Sequence, residues 1–96
     1  MPKIHRNADS RACGAGTVVS GQSTVYANGL LVSVDGDPNS HGAGNLSAGC
    51  NEVYVNGILV VNVGDGAGAD GLCVPVGGAH CGPSATGGSS DVFVGD

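Results

Sequence analysis

The chain has 96 residues, among them 19 glycines, one Phe, two Tyr and no Trp, and its formal net charge is −5. So short a chain buries only a modest fraction of its surface, and glycine adds backbone entropy cost but no side chain to a core, so a disulfide, a metal or a partner chain has to supplement that core. Its three basic residues, Lys3, Arg6 and Arg11, give no surface for nucleic acid or anionic lipid, and no apolar run approaches the ~20 residues that span a bilayer.

Taken in order, the chain opens with Met1-Pro2-Lys3-Ile4-His5-Arg6, which lacks the apolar core of a signal peptide. Four cysteines without a signal peptide point to a reduced compartment, and hence to metal rather than disulfides, although an even count also allows two bridges. The next feature is a repeat. Gly21-Gln22-Ser23-Thr24-Val25-Tyr26-Ala27-Asn28-Gly29-Leu30-Leu31-Val32 aligns with Gly49-Cys50-Asn51-Glu52-Val53-Tyr54-Val55-Asn56-Gly57-Ile58-Leu59-Val60 at an offset of 28. The same offset relates Gly36-Asp37 to Gly64-Asp65, Cys13-Gly14-Ala15-Gly16 to His41-Gly42-Ala43-Gly44, and Asp9 to Asp37.

Each full copy predicts a β-hairpin, because β-forming runs flank Asn-Gly, whose residues tolerate the positive φ of a tight turn. Helix is not expected anywhere, since Gly or Pro interrupts every window. A third copy, Gly88-Ser89-Ser90-Asp91-Val92-Phe93-Val94-Gly95-Asp96, is offset by 39 and keeps only the first strand. The missing second strand falls by register on residues 2–6. The expectation is therefore a single all-β domain over residues 1–96, with repeats at about 9–37, 38–65 and 66–96, closed by the N-terminal strand 2–6 into a pseudo-threefold ring without open edges. The Asp residues of the Gly-Asp pairs read as turn formers that bond nearby backbone amides.

The repeat gives meaning to the Cys and His positions. Cys13 and His41 are equivalent by register, and equivalent positions in a threefold ring can converge on its axis. In the third unit the 39-residue offset points to His80, whereas the Cys/His-Gly motif points to Cys81 before Gly82; the local motif slightly favours Cys81. A tetrahedral site needs a fourth ligand, supplied by Cys73 or by the second member of the His80-Cys81 pair. The candidate metal ligands are thus Cys13, His41, Cys73, His80 and Cys81. Mixed sulfur and imidazole favours zinc, with iron as the alternative. A Cys73–Cys81 disulfide is the main competing reading. Cys50 aligns with Gln22 and Ser89 at a strand entry and reads as a small half-buried residue, and His5 reads as a surface or partly buried strand residue, with a ligand role as the alternative. No Gly-x-Ser-x-Gly elbow, Walker lysine or calcium-loop spacing is present.

With these motifs in view, the sequence resembles the PAAR-repeat proteins, over residues 21–37, 49–65 and 88–96 and the His41-Gly42 type of turn before each strand. The namesake Pro-Ala-Ala-Arg is absent; Leu30-Leu31-Val32-Ser33 and Ile58-Leu59-Val60-Val61 stand in its place. The resemblance implies a small conical fold of three β-hairpin repeats. It implies a zinc site on Cys13, His41 and the His80/Cys81 pair, with Cys73 as a further candidate. It also implies a structural tip that caps the trimeric β-helical spike of a contractile phage tail or type VI secretion system, one tip per trimer, with its point toward the target envelope.

On this reading the protein is not an enzyme, is made in the cytoplasm, and resides at the virion tail spike tip or in an extracellular injection apparatus. Neither nucleic acid nor stable membrane insertion is expected. The rival expectations are a small metalloenzyme, in which zinc keeps a position open for water but no obvious general base stands nearby beyond Asp70 in the insertion, and a β-rich binding module, against which the scarcity of aromatic residues weighs.

Overall fold

Asn28-Gly29 and Asn56-Gly57 do what their sequence predicts. In the structure, a computed structural model that describes residues 3–49 and 53–93, Asn28 and Gly29 take φ of 54° and 81°, and Asn56 and Gly57 take 53° and 83°. Positive φ at both central residues defines the hairpin turn whose twist matches its strands. Strand β1 (Tyr26–Ala27) accordingly pairs antiparallel with β2 (Leu30–Leu31), with Tyr26 opposite Leu31. Strand β3 (Tyr54–Val55) pairs with β4 (Ile58–Leu59), with Tyr54 opposite Leu59. The fold is β-rich, built from these hairpins and a set of isolated bridges.

The bridges that follow β2 and β4 obey the 28-residue spacing. Arg6 bridges Val32, Val34 bridges Val60, and Asn62 bridges Ile4, all antiparallel. One residue from each segment closes a cycle of backbone hydrogen bonds: His5 N–H donates to Val61 O at 3.0 Å, Val61 N–H to Ser33 O at 3.1 Å, and Ser33 N–H to His5 O at 3.0 Å. Each segment satisfies its neighbour, so the cycle leaves no unpaired edge at this level. The N-terminal segment also meets the C-terminal copy, through a Lys3–Phe93 bridge and an Ile4 N–H bond to Val92 O of 3.0 Å. Pro2, Val94, Gly95 and Asp96, on which the rest of that pairing was expected, lie outside the described residues, as do Cys50 and its strand-entry assignment.

The side chains of this ladder form the main apolar core: Ile4, Ala27, Val32, Val34, Val55 and Val60, with Val53, Ile58 and Val92 packed against it. A smaller cluster joins Leu46, Val61 and Ala85, with Ala48 and Ala67 at its edge. β-branched valines suit such a ladder because their restricted rotamers fit pleated backbone. Burying each one removes apolar area worth about 1.5–3 kcal/mol.

The turn after each ladder segment repeats as well. Asp9 accepts from Arg6 N–H at 2.9 Å, Asp37 from Val34 N–H at 2.8 Å and Asp65 from Asn62 N–H at 2.8 Å. These carboxylates satisfy backbone amides inside the turn, as expected of Asp in this setting. Gly21 and Gly49 are required beside them: a β-carbon on Gly21 would lie 2.5 Å from Val34 Cγ2 and one on Gly49 would lie 2.7 Å from Asp65 Oδ1.

The absence of helix holds for the repeats but not for the long third loop. There Cys73–Val76 forms one α-helical turn, α1, and Gly78–Cys81 forms a 3-10 turn. Helix propensity does not explain them, since Pro75 lies within α1. The local cause is closure: a disulfide joins Cys73 to Cys81 and draws their Cα atoms to 4.6 Å. No helix among the described residues is long and apolar enough to cross a membrane.

Candidate metal centre

Three loops leave the ladder after Asp9, Asp37 and Asp65 and return at Thr17, Leu46 and Ala85. The return residues are equivalent by their bonds, because each N–H donates to the carbonyl of its Asp at 3.0 Å. The first two loops fold alike. Arg11 N–H bonds Ala15 O and Gly14 N–H bonds Arg11 O; Asn39 N–H bonds Ala43 O and Gly42 N–H bonds Asn39 O. These tight turns put Cys13 and His41 at matching apices. The third loop is longer and reaches the same place differently, with Asp70 N–H donating to His80 O at 2.8 Å and so tying the two sides of the insertion together.

Cys13, His41, Asp70 and His80 come together where the loops meet, their ligating atoms all within 4.8 Å of one another, close enough to hold a metal ion. Asp70 Oδ2 lies at the centre, 3.2 Å from His41 Nδ1 and 3.1 Å from His80 Nδ1. Cys13 Sγ lies 3.8 Å from His41 Nδ1. Tetrahedral zinc, with bonds of ~2.0 Å to nitrogen or oxygen and ~2.3 Å to sulfur, has ligand–ligand edges of about 3.3–3.6 Å. Three of the separations, 3.1, 3.2 and 3.8 Å, lie near those edges, and the whole set lies within 4.8 Å; one thiol, two imidazoles and one carboxylate are donors that suit a divalent transition metal. The residues present can hold a metal ion.

The supporting contacts fix both carboxylate oxygens and the thiol. Asn39 Nδ2 donates to Asp70 Oδ2 at 3.0 Å and approaches Cys13 Sγ at 3.7 Å, while Asn39 Oδ1 accepts from His41 N–H at 3.0 Å. Leu72 N–H donates to Asp70 Oδ1 at 2.8 Å. One buried Asn thus orients three members of the cluster, the role that outer partners play around metal ligands. Burial alone would push the Asp70 carboxyl up. The opposing hydrogen bonds from Asn39, the Leu72 amide, His80 and His41 outweigh it and hold Asp70 well below the usual carboxylate range. Asp70 is therefore an anion at neutral pH, the form that can bind a cation. Gly44 closes the wall: its φ is +68°, and a β-carbon there would lie 2.8 Å from Asn39 Nδ2 and 2.9 Å from Asp70 Cβ.

Of the residues singled out from sequence, Cys13, His41 and His80 lie in the cluster, and Cys73 and Cys81 do not. The two cysteines are bonded to each other, and a disulfide offers no thiolate to a metal. The register therefore locates the third-unit residue and the Cys/His-Gly motif does not. His80 and Cys81 are adjacent in a 3-10 turn, where successive side chains point about 120° apart, so only one of them can face the cluster. Asp70 was not among the candidate ligands read from sequence because it belongs to the insertion and has no repeat partner of its kind. One signal marks it: it is the sole Asp, Glu, Lys or Arg between Asp65 and Asp91.

A second polar assembly braces the loops from behind. Arg11, only 2% exposed, donates from Nε to Thr17 Oγ1 at 2.6 Å, from Nη1 to Gly44 O at 2.6 Å and Pro83 O at 3.2 Å, and from Nη2 to Asp37 O at 3.1 Å. It reaches backbone from all three repeats. Thr17 Oγ1 lies 2.6 Å from His5 Nε2, and His5 Nδ1 lies 2.6 Å from Gly87 O. Gly87 O can only accept, so Nδ1 carries the proton, and Nε2 of a neutral ring accepts from Thr17. Burial lowers the His5 pKa and keeps the ring neutral. His5 is thus fully buried rather than a surface residue.

Compared with known proteins, the chain matches no family model and no curated protein.

Proposed function

We propose that this chain is a zinc-stiffened, non-enzymatic tip that caps the trimeric β-helical spike of a contractile injection machine, with its three units arranged as hairpins of a small cone about a pseudo-threefold axis. The observation that carries this reading is the closed cycle of hydrogen bonds through His5, Ser33 and Val61. A single chain whose bonding repeats three times around a centre presents equivalent surfaces in three directions, which suits the end of a threefold-symmetric partner. The register adds three exposed aromatic side chains at equivalent strand positions, Tyr26, Tyr54 and Phe93. Aromatic residues exposed on a small protein are strong anchors at interfaces, and here they recur once per unit.

Cys13, His41, Asp70 and His80 would hold the ion, which would cross-link three loops that carry little apolar core. Four protein ligands complete a tetrahedron, which favours a structural site over a catalytic one with an open position. The test is to mix the protein with trimeric β-helical spike fragments from contractile systems and weigh the products by native mass spectrometry. One tip per trimer is expected, with loss of the complex in a Tyr26→Ser/Tyr54→Ser variant that keeps its melting temperature. Absence of binding to every such trimer overturns the assignment.

A further inference from the structure

The disulfide and the metal cluster share one loop. Asp70 stands three residues before Cys73, and His80 stands immediately before Cys81. Cys73 N–H bonds Asp70 O at 3.1 Å, and Asp70 N–H bonds His80 O at 2.8 Å. The two cluster members from this loop therefore sit at the two feet of the segment that the Cys73–Cys81 bond closes. The segment needs such closure. Residues 66–82 contain six glycines, α1 has no side-chain cap and buries none of its residues, and Val74 and Val76 are exposed. No buried side chain of α1 holds the disulfide-closed segment in shape.

We infer that the Cys73–Cys81 disulfide is a positioning clamp for the metal site, so that the redox state of this pair sets the affinity of the Cys13–His41–Asp70–His80 cluster for zinc. The inference rests on the metal reading above and deepens it. With the bond closed, His80 is held beside Asp70 before the ion arrives, and the ordering cost of a glycine-rich loop is already met. With the bond open, the competent arrangement becomes one of many, and apparent affinity falls by the fraction of time the loop spends in it. The entropy of closing a loop of this size puts that factor at about 10- to 100-fold. Opening requires two electrons and two protons, disulfide to two thiols. Such a site would load weakly in a reducing cytoplasm and hold its ion tightly once oxidised.

The experiment compares zinc affinity, by competition with a chromophoric chelator, in three samples of the full chain. These are the oxidised protein, the protein reduced with a phosphine, which leaves as the phosphine oxide, and the Cys73→Ser/Cys81→Ser variant. The expected result is a 10- to 100-fold weaker affinity in the second and third samples, equal to each other. Cobalt spectra are expected to keep the same thiolate charge-transfer intensity throughout, because Cys13 is the only sulfur ligand in each. Amide exchange at Ser33 and Val61 reports whether the ladder survives in the variant; should it fail to fold, the reduced wild-type protein decides alone. Equal affinities in oxidised and reduced protein overturn the clamp while leaving the metal site standing. Tighter binding on reduction, with added thiolate intensity, also overturns it, by making Cys81 or Cys73 a ligand. Failure of the oxidised protein to bind zinc overturns the metal reading and the clamp with it.

Discussion

The ladder and the loops solve the same problem by different means. In the ladder, residues 4–6, 32–34 and 60–62 satisfy one another's backbone and bury valines between them. The loops around Cys13, His41 and Asp70 bury few apolar side chains, Ala15 and Pro83 among them. They are instead organised by charge and cross-links: the guanidinium of Arg11, the carboxylate of Asp70 and the Cys73–Cys81 bond. The comparison teaches that a glycine-rich chain of this length can place its apolar residues in one layer and leave its long connections to polar chemistry. The cost is that each polar group there must find its partners, since an unmade hydrogen bond in a buried site costs about 1–3 kcal/mol.

That division can be broken most sharply at the proposed metal site, by comparing loaded and chelated protein. A structural zinc ion bound a thousandfold above its Kd contributes about 4 kcal/mol, which in a domain of this size is a fall in Tm of at least ~15 °C. Calorimetry of zinc-loaded and chelated protein checks this. Hydrogen exchange should place the loss at the amides of residues 39–44 and 70–80, with Ser33 and Val61 still protected. An unchanged Tm would mean that the loops hold themselves together.

The converse perturbation is Val60→Ala, at a side chain with no exposure. Removing two methyl groups from the ladder core should cost about 2 kcal/mol by urea unfolding. Zinc affinity should stay within threefold, because Val60 packs in the ladder's own cluster, whose members all lie outside the ligand loops. A large loss of affinity would show that ladder and loops are not separable.

Acid reaches the contact between the two regions. His5 belongs to the ladder but bonds Thr17 at the return of the first loop. Burial lowers its pKa from the ordinary 6.5, so between the folded and unfolded values the unfolded chain binds more protons. Stability is then full above about pH 6.5 and is lost on acidification, by at most about 1.4 kcal/mol per pH unit from this one group. Unfolding of wild-type and His5→Gln protein from pH 7.5 to 5, both with chelator, checks it: the wild type should lose more stability over that range. Parallel profiles would remove His5 from the account.

The smallest expected effect lies at Ala8, whose φ of 70° matches the positive φ of Gly36 and Gly64 at the equivalent positions. An L-residue in that region is strained by about 1 kcal/mol. Ala8→Gly should therefore stabilise the protein by up to ~1 kcal/mol after glycine's own entropy cost. Destabilisation would show that the Ala8 methyl has a packing role in the turn.

The hairpins and their Asn-Gly turns, and the equivalence of Cys13 with His41, were legible in the sequence, because a repeated chain repeats its local physics. Turn geometry depends on a few adjacent residues, and those residues recur every 28 positions. The pairing of Lys3 with Phe93 was legible for the same reason, since the register assigns the chain ends to one another. The third loop broke the repeat, and there only tertiary structure decided. It put His80 and not Cys81 beside Asp70, because a 3-10 turn aims neighbouring side chains apart. It bonded Cys73 to Cys81, the reading that competes with metal ligation, and it buried His5 and Arg11. Spacing narrows the third loop to a pair of readings; which side chain faces the cluster, and which polar groups are buried, depends on how the segments pack together, and local propensity does not encode that.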